Sequence, residues 1–424
     1  MFRQSLKTEK DGVGMAGEVA AMQPKTVKRE KIQRGSVTYY KAIIALFIGS
    51  LVAFGAEYCV QPIIPVLARD FSLEPTTASL AVSFGTGGMA VAMLFIAGLA
   101  HKLRRRQVMV LALVGSIILA MLIGISQYFQ LILLMRLCQG LLLAGFPPMA
   151  VAYINEEFEG SVIGTAVGIY VSGSSIGGLV GRIILSTLTD WWSWRPALLA
   201  LAVFYLILIV AFVILLPRPE HVKPKHGQSK SMLAEFSRLM HNKFLVADYL
   251  VAMIVMGSFV CVYNFISYVL LAPPYSMTQT EIGLVYLLYL LGTLSSTVMG
   301  MMADSTGNGV VISLSIVCMI GGALLSLAGP LLLKLAGIGL FTFGFFGAHS
   351  ADCSWAGRLD KGDKAEISAM YMLFYYIGAS TFGSIGGKFL THWGWDGVVG
   401  FLTVLLIIGL GISRWMTTHV SKDV

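Results

Sequence analysis

The chain has 424 residues, 56% of them hydrophobic and 12% charged, with a mean hydropathy of +0.79 and a formal net charge of +8. Soluble domains carry about 25% charged residues, so the composition excludes a water-soluble globular protein and points to an integral membrane protein. Five cysteines (Cys59, Cys138, Cys261, Cys318, Cys353) lie in or beside apolar segments with no C-x-x-C pair, and read as small core hydrophobes rather than a disulfide or metal framework.

Residues 1–40 are polar and basic; they read as a solvated cytoplasmic tail, without the early apolar core of a secretory leader. Beyond them, stretches of the roughly 20 apolar residues that a membrane helix needs recur near 41–67, 78–100, 108–127, 131–154, 162–187 and 196–216. A polar linker, 217–243, follows, then a second set near 244–271, 282–302, 310–328, 331–350, 367–390 and 397–416, and a short cytoplasmic tail, 417–424. The sequence therefore predicts an all-α integral membrane fold of twelve transmembrane helices in two pseudo-symmetric six-helix bundles, 41–216 and 244–416. In the linker, "SMLAEFSRLMHNK" spaces Met232, Leu233, Phe236, Leu239 and Met240 as on one helix face, which predicts an amphipathic helix on the cytoplasmic membrane surface. All but six of the 30 Lys and Arg residues (Arg69, Arg136, Arg182, Arg195, Lys334 and Lys388) fall on the side of the termini. That bias predicts both termini in the cytoplasm and accounts for the positive balance without nucleic acid.

The halves repeat one another. The fifth stretch ends "GGLVGRIILSTLTDWWSWR" and the eleventh "GSIGGKFLTHWGWDG": clustered glycines, one basic residue (Arg182, Lys388), then a Trp-x-Trp pair (Trp192 with Trp194, Trp393 with Trp395) expected at the outer interface. Paired six-span halves place a substrate site between them near the bilayer midplane. Within the fifth stretch, Gly173, Gly177 and Gly181 recur every four residues and predict a smooth ridge, expected at the sliding contact between halves.

Four motifs carry a family likeness. The loop after span two, "AGLAHKLRRRQVMVL", contains Gly98, His101, Arg104 and Arg105; its second copy, "GMMADSTGNG", contains Gly300, Asp304, Gly307 and Asn308. Span four carries "RLCQGLLLAG", with Arg136, Gln139 and Gly140, and span five spaces Gly164, Gly173, Gly177 and Gly181. These resemble the loop, Arg-x-x-Gln-Gly and antiporter motifs of the major facilitator superfamily, within it the twelve-span drug:proton antiporters, including the YnfM-like group of bacterial inner-membrane exporters. The resemblance covers residues 41 to 416 and implies alternating access. It also implies a conformational lock at the loop motif, but His101 stands where aspartate is expected, Arg104 where glycine is, and Asn308 where arginine is usual. In span five Gly178 replaces the expected proline and Arg182 the last glycine. Related exporters resemble this chain in carrying an acidic residue in the first span.

An ionisable group deep in a span costs at least about 2.5 kcal/mol and is a functional candidate by default. Glu57, in "AFGAEYCVQP", is the sharpest case, with Ser50 and Gln61 on its face. Arg136 reaches a comparable depth, so Glu57 is a candidate for proton coupling, with Arg136 as its partner, or for cation recognition, or else the two form a permanent structural pair. Arg182 and Lys388 lie near outer helix ends and read as snorkelling or structurally paired, with an anionic substrate as the alternative. His349 reads as a packing histidine before a proton relay, and Asp248 and Lys334 as interfacial. Gln61, Tyr263, Asn264, Tyr371 and Tyr375 are the candidate substrate residues, for an aromatic or lipophilic solute.

No P-loop or H-E-x-x-H motif occurs, and the G-x-S-x-G match "GSSIG" at 173–177 lies inside an apolar span rather than at the strand-to-helix turn a nucleophile needs. Neither an ATP-driven pump of that class nor an enzyme is therefore expected, and no cofactor or metal. The reading is a monomeric, proton-coupled exporter of a small organic solute or drug in the inner membrane, in contact with lipid. The rivals are a proton symporter that imports a metabolite and a membrane sensor that transports nothing.

Overall fold

A computed structural model describes residues 31–99, 104–219, 232–360, 362 and 364–423. Span one is Val37–Asp70, span two Pro75–Leu99, span three Arg105–Ile125, span four Phe129–Glu157, span five Gly160–Trp191 and span six Trp194–Leu215. After a linker helix, Met232–His241, come span seven, Lys243–Leu271, span eight, Gln279–Thr306, span nine, Asn308–Leu325, and span ten, Leu331–Ala356. The last helical run, Lys364–Asp423, breaks at Gly394, whose φ of 61° reverses the chain; the arms 364–393 and 395–423 are spans eleven and twelve. His101 lies outside the described residues, as do residues 220–231 of the linker.

Two spans are interrupted inside. Pro62 and Pro65 lack N–H groups, so the helix Val37–Tyr58 gives way to a 3-10 turn, Gln61–Ile63, before resuming over Ile64–Asp70. Span eight breaks likewise at Tyr286–Leu288. In a membrane, irregular backbone persists only where protein buries it or where it lines a cavity. Both breaks turn out to border the site described below.

The glycine ridge of span five does not lie between the halves, contrary to expectation. A Cβ at Gly173 would run into Ser50 and the Phe47 carbonyl, at Gly177 into the Leu51 backbone, and at Gly181 into Gly55 and the Tyr205 hydroxyl. The ridge instead lets spans one and five of the same half approach closely, with Ser50 Oγ donating to the Tyr170 carbonyl across the contact (2.9 Å). Span eleven repeats this on span seven, where Gly378 meets the Met253 backbone and Gly386 meets Cys261 and Phe265.

The Trp-x-Trp pairs also divide. Trp192 and Trp393 are exposed, as an interface position requires, but Trp194 and Trp395 are buried. Each buried indole is a peg: Trp194 Nε1 donates to Asp70 (3.0 Å) and Trp395 Nε1 to Ser326 (2.9 Å). Lys334 folds back on the Ser326 carbonyl at the end of span nine.

At the terminal end, Arg105 forms a two-pronged contact with Glu156 (2.9 and 3.2 Å), and Arg106 donates to the Val213 carbonyl (2.7 Å). Ile32 pairs with the backbone of Glu157 and Glu159, so the last part of the basic tail is ordered. The linker helix corrects a second expectation. Its Leu239 is buried and Phe236 half-buried against Leu245, Tyr249 and Ile367, so the apolar stripe faces protein rather than only lipid. Arg238 fixes it to Asp360 (3.0 Å).

Candidate functional site

Glu57 occupies the last turn before the break in span one and is 1% exposed, as is Arg136. Arg136 Nη2 lies 3.8 Å from Glu57 Oε1, too far for a hydrogen bond. The guanidinium is held elsewhere: Nε donates to the Ala81 carbonyl (2.7 Å), Nη1 to Ala56 (3.3 Å) and to Gln139 Oε1 (2.6 Å), and Nη2 to the Glu57 carbonyl. Gln139 in turn donates to the Ser116 carbonyl (3.0 Å). Both carboxyl oxygens of Glu57 are buried without a hydrogen-bond partner. The carboxyl can therefore gain or lose a proton without stripping a donor from the arginine.

Spans two and four close over this pair through glycine. Gly140 lies against the Gly85 carbonyl, and a Cβ at Gly85 would stand 2.5 Å from Glu57 Oε1 and 2.9 Å from Arg136 Nη2.

Arg182 does not snorkel. It is 4% exposed and turned inward, because the break in span one presents an acceptor there. Its Nε and Nη2 both donate to Gln61 Oε1 (3.0 and 2.8 Å) and its Nη1 to the Gly178 carbonyl (2.7 Å). Three tyrosine rings surround the guanidinium: Tyr58 at 4.8 Å, Tyr289 at 4.9 Å and Tyr286 at 5.0 Å. Lys388, its counterpart in the repeat, is exposed.

Two candidate substrate residues continue from Arg182 into the other half. Gln61 Nε2 donates to Asn264 Oδ1 (2.9 Å), and Asn264 Nδ2 to the Gly383 carbonyl (2.8 Å). One polar chain thus joins spans five, one, seven and eleven. Tyr263 is buried with its hydroxyl bonded to Thr342 (2.7 Å). Tyr371 is buried and bonded to His349 Nδ1 (2.9 Å), whose ring packs on Tyr375 at 4.9 Å. Asp248, expected at the interface, is fully buried beside Asp352 of span ten, because span seven turns it into the second half.

More contacts between halves gather at the end away from the termini. Ser83 and Ser384 share a hydrogen bond, Ser380 Oγ donates to the Ser83 carbonyl (2.8 Å), Gln279 Nε2 to the Pro62 carbonyl (2.8 Å) and Thr280 Oγ1 to Asp190 (2.7 Å). On the terminal side, Gly164 and Gly168 of span five border open space.

The sequence pattern of the Major Facilitator Superfamily matches residues 46–357. The chain belongs to this superfamily. It is 36% identical over 389 residues to the MFS-type transporter YybF of Bacillus subtilis (strain 168), covering 92% of this chain and 96% of that one. It is 37% identical over 379 residues to the inner membrane transport protein YnfM of Escherichia coli (strain K12), covering 89% and 91%. A multidrug resistance protein, MdtG of Klebsiella pneumoniae (strain 342), matches at 25% over 224 residues, 52% of this chain and 54% of that one. Among solved structures, a bacterial homolog of the human lysosomal transporter Spinster, inward-facing and unoccupied, superposes with a TM-score of 0.77 at 13% identity, covering 92% of this chain and 99% of that one. The fold is the major facilitator fold, and the protein is a membrane transporter, not an enzyme.

The superfamily's loop motifs are met here by other residues. In the second half Gly307, at φ 91°, makes the turn, Asp304 is exposed, a Cβ at Gly300 would lie 4.0 Å from Ser350 Oγ, and Asn308 donates to the Ala351 carbonyl (2.7 Å). In the first, Gly98 lies in the last turn of span two and Arg105 pairs with Glu156. Sequence reasoning missed Glu156, Gly85, Tyr58, Tyr286, Tyr289 and Asp352. Glu156 and Asp352, charges just inside span ends, carry a signal that could have found them.

Proposed function

We propose that this superfamily member is a monomeric proton-coupled exporter of the bacterial inner membrane, with both termini in the cytoplasm. It exchanges protons for a small organic solute or drug by rocking two six-helix bundles, 41–216 and 244–416, about a central site. Glu57 carries the proton, and Arg136 is its fixed partner. Gln61, Asn264 and Tyr375 contact the solute's path, with Tyr263 and Tyr371 as its supports.

Glu57 carries this reading: a buried carboxyl without a hydrogen-bond donor, 3.8 Å from an arginine anchored on backbone carbonyls. Protonation there changes interior charge by one while leaving the anchor intact, which is what a coupling group needs. The partial likeness to a multidrug resistance protein supports the outward direction. Import by symport is the second reading. It is favoured by Arg182, since an anionic solute and a proton together cross without net charge.

Everted vesicles with an acidic lumen, challenged with a panel of organic solutes, test this. A solute that alkalinises the lumen supports antiport, acidification supports symport, and no response to any solute supports a sensor. Glu57→Gln should abolish the response while inserting normally. Full gradient-driven transport by Glu57→Gln in proteoliposomes would overturn its role.

A further inference from the structure

We infer that Arg182 is the seat of an organic anion: a carboxylate, or similar oxyanion, on a flat apolar body. Arg182 is buried, and its acceptors are an amide oxygen and a backbone carbonyl, both uncharged. No ion pair with a carboxylate compensates it among the described residues, although buried charges are normally paired. Glu57 does not serve, since the charge nearest to it is Arg136.

The way Gln61 is held points to the ligand. Its single Oε1 accepts from both Nε and Nη2 of Arg182. That is the edge of the guanidinium that a carboxylate engages with two oxygens. An amide oxygen fills the place but brings no charge. Around it the rings of Tyr58, from span one, and of Tyr286 and Tyr289, from span eight, form walls suited to an apolar body. The Tyr289 hydroxyl is buried there without a partner.

Occupancy also reaches the seam. Gln61 holds Asn264 with its other end, so a carboxylate that displaces Gln61 from Arg182 loosens the polar chain between halves. A solute bound there is gripped by both halves and weakens one of the contacts that close the far end.

The inference deepens the transport reading by naming a solute class, and rests on it for the solute's route to this interior. Its test is binding alone. Saturable equilibrium binding of benzoate and of benzamide, which differ only in the charged group, is measured on the purified full chain. Benzoate should bind about tenfold or more tightly than benzamide. Arg182→Gln should erase that preference, and Lys388→Gln, at the exposed repeat position, should keep it. Gln61→Glu supplies a carboxylate of the same shape within the chain, so it should lose benzoate binding while remaining folded. Equal binding of benzoate and benzamide by the unaltered chain overturns the inference, as does retained preference in Arg182→Gln or Gln61→Glu. The unaltered chain decides even if Arg182→Gln does not fold. Benzoate binding without solute-evoked proton movement would sink the transport reading alone. Proton-coupled transport of neutral solutes without benzoate preference would sink only this inference.

Discussion

Arg136 and Arg182 are both buried arginines in the same half, yet their surroundings assign them different work. Arg136 spends its donors on three backbone carbonyls and Gln139, which fixes it as scaffold. Its charge then acts on Glu57 through space, at 3.8 Å. Gly85 makes that arrangement possible, because any larger residue there would occupy the gap beside both groups. Gly85→Ala should therefore insert and fold but lose most proton-coupled transport, with an apparent activation pH displaced from that of the unaltered chain. Transport at the unaltered level and pH would show that the gap is immaterial. Glu57 and Arg136 were legible in the sequence because a charge in an apolar run stands out against its insertion cost. Gly85 was not, since it sits among other glycines in "SFGTGGMA" and nothing local says which one meets the pair. The cage around Arg182 was hidden for another reason. Tyr286 and Tyr289 reach it only because span eight breaks at Tyr286–Leu288, and no proline announces that break.

At the scale of elements, glycines of one helix divide by what they touch. Gly177 lies against the backbone of Leu51, so Gly177→Ala must push spans one and five apart; overpacking of that kind costs about 1–3 kcal/mol. Gly168 has open space beside it, and Gly168→Ala should be neutral or slightly stabilising. Thermal unfolding in one detergent checks the contrast, and equal melting temperatures would refute the ridge as a close contact. The spacing of these glycines was readable; their partner was not, because a four-residue repeat specifies a smooth face and not which helix uses it. The linker helix was likewise legible as amphipathic, whereas its docking depends on Asp360, far along the chain. There, burial opposes ionisation of Asp360, but the Gly362 amide, Asn242 and Arg238 outweigh it and hold the carboxyl below the ordinary carboxylate range. A carboxyl so held takes up its proton later on acidification than it does in the unfolded chain. Its contribution is therefore complete above about pH 4, the unfolded value, and fades as pH falls through the lower folded value. Hydrogen exchange in 232–241 should stay slow between pH 5 and 8 and quicken in Asp360→Ala; unchanged exchange in that variant would detach Asp360 from the docking.

For the whole molecule, twelve spans, their pairing into halves and the likeness to a superfamily all follow from hydropathy, the linker and a handful of motifs, since lipid forces regular helices of fixed length. Which end is shut does not follow from sequence, because it depends on small polar residues that occur throughout the helices. Here the shut end is the one away from the termini, where spans two and eleven meet through Ser83, Ser380 and Ser384. Rocking about a central site requires those contacts to part in each cycle. A disulfide between Ser83→Cys and Ser384→Cys would hold them together. Oxidation of the double variant should stop solute-evoked proton movement and reduction should restore it, with the new bridge located by peptide mass against the five native cysteines. Either single variant should respond to neither treatment. If the bridged protein kept transporting at its reduced rate, the seam would be static, and the two halves would have to pass the solute without separating where this structure holds them together.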